Sequence, residues 1–346
     1  MERRGNMEKR IDRHTTWGST VLLLVCAVAG CLNREALSDG QISGPDAQRD
    51  GPGKDDLGGP PCPHSKVVKN CTGGWCDIPA GCFVMGSSTS EPCRNDNEDR
   101  HKVTLTRGFT IHQTEVTQDE FLAVMGYDPS GFGPNGKYGY CGPTCPVESV
   151  SWHEAAAYCN ALSAKEGVPA CYHCTGKTPY VICEEAPAYS SAKVYACPGY
   201  RLPTEAEFEY AYRAGTQTAY YNGPNDPNQC DSCGPIDANL DKIAWYCTNA
   251  GQQPLPVKQK LPNAWGLYDM AGSMTELCHD RYQEHLGSAA ATDPWGSASN
   301  VARVRRGGSW MPSASYLRAA WRGENSQSFK WIELGFRCVR TTGSAP

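Results

Sequence analysis

The stretch YRLPTEAEFEYAYRAGT, Tyr200 to Thr216, carries the local code from which the fold can be read. Thr204 can cap the first turn of a helix through its hydroxyl, and Glu207, three residues on, can reach back to the cap's own amide. The helix that follows places Phe208 and Ala211 on one face. The same device occurs twice upstream. Thr117 with Glu120 opens a helix carrying Phe121, Leu122 and Met125, and Ser151 with Glu154 opens one carrying Ala155, Cys159 and Leu162. All three read as short amphipathic helices.

Between and before these helices the pattern becomes extended. KVTLTRGFTI, Lys102 to Ile111, alternates as a strand that turns at Gly108, and GCFVMG near Gly81 reads as another. Beyond Thr216 helical periodicity fades into a stretch rich in Gly, Asn, Pro and Trp, whose order must come from packing, disulfides or ions. The fold class is therefore α+β with much irregular structure. Cys171 to Pro198 interrupts what would be a direct connection from the second helix to Tyr200, and four cysteines crowd into it. It reads as an inserted, internally stapled loop over 171–198.

The chain has 346 residues and a formal net charge of −5, a mild acidic balance with no footprint for nucleic acid. Arg3, Arg4, Lys9, Arg10 and Arg13 precede the apolar run VLLLVCAVAG, which is too short to span a bilayer. This is a signal-peptide pattern over 1–30. It ends in Val28-Ala29-Gly30-Cys31, which resembles a bacterial lipobox and makes Cys31 the expected lipidated residue, anchored in cell-envelope lipid. Residues 31–70 are rich in Gly, Asp and Pro and read as a solvated tether, leaving one domain over 71–342. Of 19 cysteines, two lie in the signal and at the lipid site, so an odd seventeen remain. Cys141 with Cys145, Cys171 with Cys174 and Cys230 with Cys233 have spacings compatible with zinc clips, but an oxidising compartment favours disulfides.

Taken together, FVMGS, FTIHQTEVTQDEFLAVMG, PVESVSWHEAAAYCNAL, YRLPTEAEFEYAYRAGT, NAWGLYDMAG, RRGGSW and LGFRC resemble, in this order, the formylglycine-generating enzymes or sulfatase-modifying factors. The likeness runs over roughly residues 79–341. It implies a C-type-lectin-like α+β domain. Enzymes of that family oxidise a cysteine of a sulfatase peptide with molecular oxygen, using copper(I) on two cysteine thiolates. Soft sulfur is what holds Cu(I). The first of those cysteines lies two residues after the aromatic residue of the GGSY or GGSW motif; here Pro312 stands there, and the counterpart of the second is about Tyr316 or Leu317. No cysteine occurs between Cys278 and Cys338, so copper is not expected.

Other implied features persist. Asp269, Gly272, Met274 and Glu276 match a structural calcium site, and Asn239-Leu240 resembles part of a second one. Cys159 and Cys338 match a pair that forms a disulfide. Ser309 and Trp310 fall where family members line a substrate groove, with Arg305, Arg306, Arg318 and Arg322 near enough in sequence to meet an anion; the competing reading pairs these arginines with neighbouring acids. His112, Glu115, His279 and Asp280 lack the fixed spacing of a catalytic metal set. Two functions follow. One is a lipid-anchored binding module for a peptide, protein or glycan; the alternative is an oxidoreductase of the formylglycine-generating or non-haem-iron superfamily.

Overall fold

The computed structural model describes residues 64–344 except Ser232, together with Leu57 and Cys62. The signal-peptide region, Cys31 and most of the tether lie outside the described residues. The three capping boxes form as the sequence predicts. Thr117, Ser151 and Thr204 each accept from the amide of the glutamate three residues on, and each glutamate accepts from the cap's own N–H. They open α1 (Gln118–Met125), α2 (Trp152–Lys165) and α3 (Glu205–Arg213).

Two faces differ from expectation. In α1, Phe121 is buried but Leu122 is exposed, because Val124 and Met125 turn toward the core in its place. The third helix is buried on every side from Glu205 to Arg213. Its three glutamates are tolerated there because each meets an arginine: Glu205 meets Arg322, Glu207 meets Arg201 and Glu209 meets Arg213. A buried charge without such a partner would cost several kcal/mol.

The strand expected to turn at Gly108 is two strands. His101–Leu105 pairs with Gly81–Met85 and Ala291–Thr292 in a three-stranded sheet, while Arg107–His112 lies in a five-stranded sheet between Trp75–Ile78 and Val339–Ser344. The break falls at Thr106, whose N–H and hydroxyl both donate to the Asp293 carboxylate instead of to a sheet partner. A third sheet of four strands, Gly323–Ser326, Ala302–Arg306, Thr275–Arg281 and Leu334–Gly335, carries the chain into the functional region. The fold is α+β with much irregular structure.

Seven disulfides staple the described residues: Cys62–Cys82, Cys71–Cys76, Cys93–Cys230, Cys141–Cys145, Cys171–Cys197, Cys174–Cys183 and Cys233–Cys247. Cys171–Cys197 and Cys174–Cys183 close the 171–198 segment on itself around a two-stranded hairpin. Cys230 and Cys233 bond to separate partners, so that spacing is no metal clip.

Candidate functional site

The strand Ala302–Arg306 ends in Gly307 and Gly308, both left-handed with φ of +87° and +67°. A side chain at Gly308 would lie 2.8 Å from Leu317 Cδ1 and from the Tyr316 carbonyl, so the turn needs glycine for space as well as for φ. The reversal lays the chain on the 269–276 loop: Gly272 N–H donates to Gly307 O (2.8 Å) and Trp310 N–H donates to Ser273 O (2.9 Å). Ser309 is buried, donating from its hydroxyl to Glu333. Trp310 is 3% exposed, donates from its indole to Ile332 O (3.3 Å), and meets Phe132 edge-on at 5.8 Å. Neither residue lines an open groove; both are buried beneath the surface.

Three of the four arginines expected at that groove, Arg306, Arg318 and Arg322, are ion-paired in the interior. Arg306 pairs with Glu209 and donates to the carbonyls of Ala319, Ala320 and Trp321. Arg318 is fork-bonded to Glu98 and also reaches Glu91 at 2.8 Å. Arg322 holds Glu205. Arg305, partly exposed, lies 5.4 Å from the Trp321 ring. Arg306 and Arg318 are thus corrected from ligand contacts to core ion pairs, for the reason that acids from distant segments converge on them.

The 269–276 loop gathers carboxylates. Asp269, in left-handed conformation, accepts from Lys258 N–H (2.9 Å), and Glu276 accepts both arms of Arg337 at 2.7 Å. Glu115 enters from the turn before α1, one oxygen accepting from Met274 N–H (3.2 Å) and the other buried without a partner. Burial, reinforced by the charges of Asp269 and Glu276, pushes the Glu115 carboxyl well above the ordinary range. Glu115 keeps the unpartnered oxygen, while Glu276 is taken up by Arg337 and Asp269 by Lys258 N–H; the described residues hold no group of three or more acidic, histidine or cysteine side chains placed to hold a metal ion, so a cation here would depend on the carbonyls of Gly272 and Met274. Gly272 keeps the loop tight, since a Cβ there would sit 2.3 Å from Trp245 O. At Asn239-Leu240 the surroundings differ: the Asn239 amide donates to Pro224 O (2.9 Å), and the neighbouring Asp241 takes the Lys260 ammonium at 3.2 Å.

His112 and His279 do not meet in a metal cluster. His112 lies 3.4 Å from Glu120, and His279 takes Tyr172's hydroxyl as its hydrogen-bonding partner (3.2 Å). Burial, helped by Arg303, lowers His279 to about 3, which keeps it neutral.

A cavity of about 400 Å³ is bounded by residues of the 128–138 loop, Ser149 and residues 330–332; Trp310 and Phe132 do not line it but contact its lining residues Ile332 and Tyr138. Its walls include the rings of Tyr138 and Trp331, 52% and 50% exposed. Asp128, Asn135, Lys137 and Lys330 supply its polar lining. Sequence reasoning missed these residues. The signal was faint, an aromatic within the Gly-rich SGFGPNGKYGY and another within the polar SQSFKWIE.

The sulfatase-modifying factor enzyme 1-like domain matches residues 65–342. The chain belongs to the sulfatase-modifying-factor family. It is 32% identical to the chaperone protein LppX of Paenibacillus barcinonensis, over 69% of this chain and 82% of that one. It is 30% identical to the formylglycine-generating enzyme of Streptomyces coelicolor, over 79% and 92%. Among solved structures, Treponema denticola variable protein 1 aligns with a TM-score of 0.63 at 31% identity, covering 78% of this chain and 95% of that one. PvdO from Pseudomonas aeruginosa, at 24% identity and a TM-score of 0.59, shares the fold.

In this sulfatase-modifying-factor domain the place of the copper thiolates is occupied by other chemistry. Pro312 O accepts from Cys247 N–H (3.4 Å), and the next residue, Ser313, donates to Cys230 O (3.0 Å). Distant cysteines do reach this place, but Cys230 and Cys247 are both locked in disulfides. Of the two counterparts of the second thiolate, Tyr316 points its ring to Trp321 at 5.3 Å and Leu317 is buried.

Three described cysteines are free, all buried: Cys159, Cys278 and Cys338. Cys159 and Cys338 face each other with sulfurs 3.2 Å apart. The structure thus brings together the pair expected to be bonded but shows it as two thiols, since an S–S bond is about 2.05 Å. They sit in the core cluster around α2, apart from the one holding Trp310. Non-reducing peptide mapping of the protein folded under oxidising conditions is expected to recover Cys159 linked to Cys338 and Cys278 as the odd thiol. Recovery of both Cys159 and Cys338 as alkylated thiols would reject the linkage.

Proposed function

We propose that this sulfatase-modifying-factor domain is a non-catalytic binding module, held at the bacterial cell envelope by lipid on Cys31 and taking a peptide or glycan in the cleft lined by Tyr138 and Trp331. One observation carries the reading. The copper positions hold Pro312 and Tyr316 or Leu317, and the cysteines that approach them are tied up as disulfides. Without two free thiolates converging there, Cu(I) has no soft ligand pair. Ser309 and Trp310 then act as support for the cleft and not as its lining. The names of two relatives, a chaperone and a variable protein, are compatible with a role other than formylglycine formation. Calcium serves as a structural ion, held by Asp269 and Glu276 with the carbonyls of Gly272 and Met274, and Glu115 adds a further acidic oxygen. It would fix the loop to which Trp310 is bonded. The described residues contain no helix long and apolar enough to cross a membrane.

The test is to purify the chain, measure its copper and iron, and follow oxygen uptake with a cysteine peptide of the sulfatase type. The expected result is no turnover and less than a tenth of an equivalent of either metal, a level on the order of background for a site lacking its ligands. Stoichiometric copper or iron with peptide oxidation would replace the binding reading by the oxidoreductase one, a possibility kept open by the likeness to the Streptomyces coelicolor enzyme.

A further inference from the structure

Resting on the binding-module reading, we infer that the cleft takes a glycan, with a pyranose ring laid against Tyr138 and Trp331. The walls favour this ligand on four grounds. First, a sugar ring has a flat C–H face and a rim of hydroxyls that both donate and accept, so it needs an exposed aromatic surface beside polar groups of both kinds. Tyr138 and Trp331 are half exposed, in a protein that buries most of its rings, and both face the same cavity.

Second, the polar set is mixed. Asp128 is oriented by accepting from Ser130 N–H (2.9 Å) and offers acceptor oxygens, while Asn135 and Lys137 offer donors. Lys330 is already paired with Glu154 at 2.6 Å. The Lys137 ammonium lies 5.8 Å from the centre of the Tyr138 ring, and Asp128 in the same lining offsets its charge, so the cleft carries no excess of cations for sulfate or phosphate, which points to a neutral ligand.

Third, the loop has used its own backbone. Gly133 N–H donates to Ser130 O, Gly136 N–H to Gly133 O and Tyr138 N–H to Gly131 O, all at 3.0–3.1 Å. A peptide recognised by strand addition needs a row of free amides and carbonyls, and these amides are spent within the loop. Recognition is left to side chains, as a sugar requires.

Fourth, the rings are held before any ligand arrives. The Trp331 indole donates to Glu333 at 2.8 Å, and Tyr138 rests against Phe132 at 5.5 Å. Glu333 also accepts from Ser309, so the GGSW turn positions the platform from below. Pre-ordered side chains lose less entropy on binding. The cavity, at about 400 Å³, falls in the size range of small-ligand sites.

The experiment uses the purified full chain titrated with cellotriose, maltotriose and tri-N-acetylchitotriose, read by calorimetry and by saturation-transfer NMR. At least one is expected to bind saturably, with a Kd on the order of 1 mM or tighter. Trp331→Ala is expected to weaken that binding tenfold or more, and Tyr138→Ala likewise. Trp331→Phe, which keeps a flat ring, is expected to retain most of it, which guards against a mere folding defect. Absence of binding by all three sugars, or binding that both alanine variants leave intact, overturns the glycan assignment. A peptide selected from a displayed library that binds the wild type and is lost in Trp331→Ala also overturns it while sparing the binding module. Oxygen uptake with the cysteine peptide would sink the underlying reading instead, and it is measured independently of any sugar.

Discussion

Replacing Arg306 by alanine is expected to lower the unfolding free energy by about 3–5 kcal/mol, the cost of breaking a buried ion pair from one side. The guanidinium is fully buried and satisfies Glu209 together with three main-chain carbonyls, those of Ala319, Ala320 and Trp321. Glu209 would keep Arg213 and the Gly86 N–H. A loss of this size translates into a melting midpoint lower by on the order of 10 °C for a domain of this length. Lysine should not restore it, because a single ammonium cannot reproduce the planar fork. Arg305→Ala is the control. That side chain is partly exposed over Trp321, and its removal is expected to change stability by less than about 1 kcal/mol. Thermal unfolding of the three variants decides the matter. An Arg306→Ala protein as stable as the wild type would return this residue to the role of a ligand contact.

Removing calcium is expected to have the next largest effect. A ligand present at about a hundred times its Kd contributes about 2.7 kcal/mol, so chelation should lower the melting midpoint by roughly 5–10 °C. The cause is electrostatic. Glu115, Asp269 and Glu276 are buried together with Arg337, and Glu115 keeps an unpartnered oxygen. The calcium proposed above would favour their ionised forms, which burial disfavours, and its loss would free the 269–276 loop of that tie. Because Trp310 N–H donates to Ser273 O and Gly272 N–H to Gly307 O, loosening that loop should also disturb the GGSW turn and the near-ultraviolet circular dichroism of its tryptophan. Asp269→Ala should abolish the response to added calcium. Identical melting curves with calcium and with chelator, and no calcium retained after gel filtration, would remove the ion from this account.

Legibility in the sequence followed the range of the interaction. The three capping boxes were readable because Thr117, Ser151 and Thr204 act on a residue only three positions away. The ordered motifs that run from Phe83 to Cys338 identified the family, and the substitution at Pro312 was visible without coordinates because it concerns the kind of atom available. The strand break was misplaced, since Gly108 looked like the turn while Asp293, far along the chain, captured Thr106. The character of α3 was also misread. Glu205, Glu207 and Glu209 suggest a solvated face until Arg322, Arg201, Arg213 and Arg306 arrive from other segments.

The amino-acid order by itself thus determined the helix starts, the α+β family fold and the lack of a sulfur pair beside GGSW. Only the tertiary structure decided that Arg306 and Arg318 are internal, that Glu115 joins Asp269 and Glu276, which cysteines are bonded, and that Tyr138 and Trp331 share one cleft. The physical reason is distance along the chain. Capping and residue chemistry are satisfied within a turn of helix or by a single side chain, whereas charge pairing, disulfide choice and cavity walls depend on segments separated by as many as 227 residues, as Glu91 and Arg318 are.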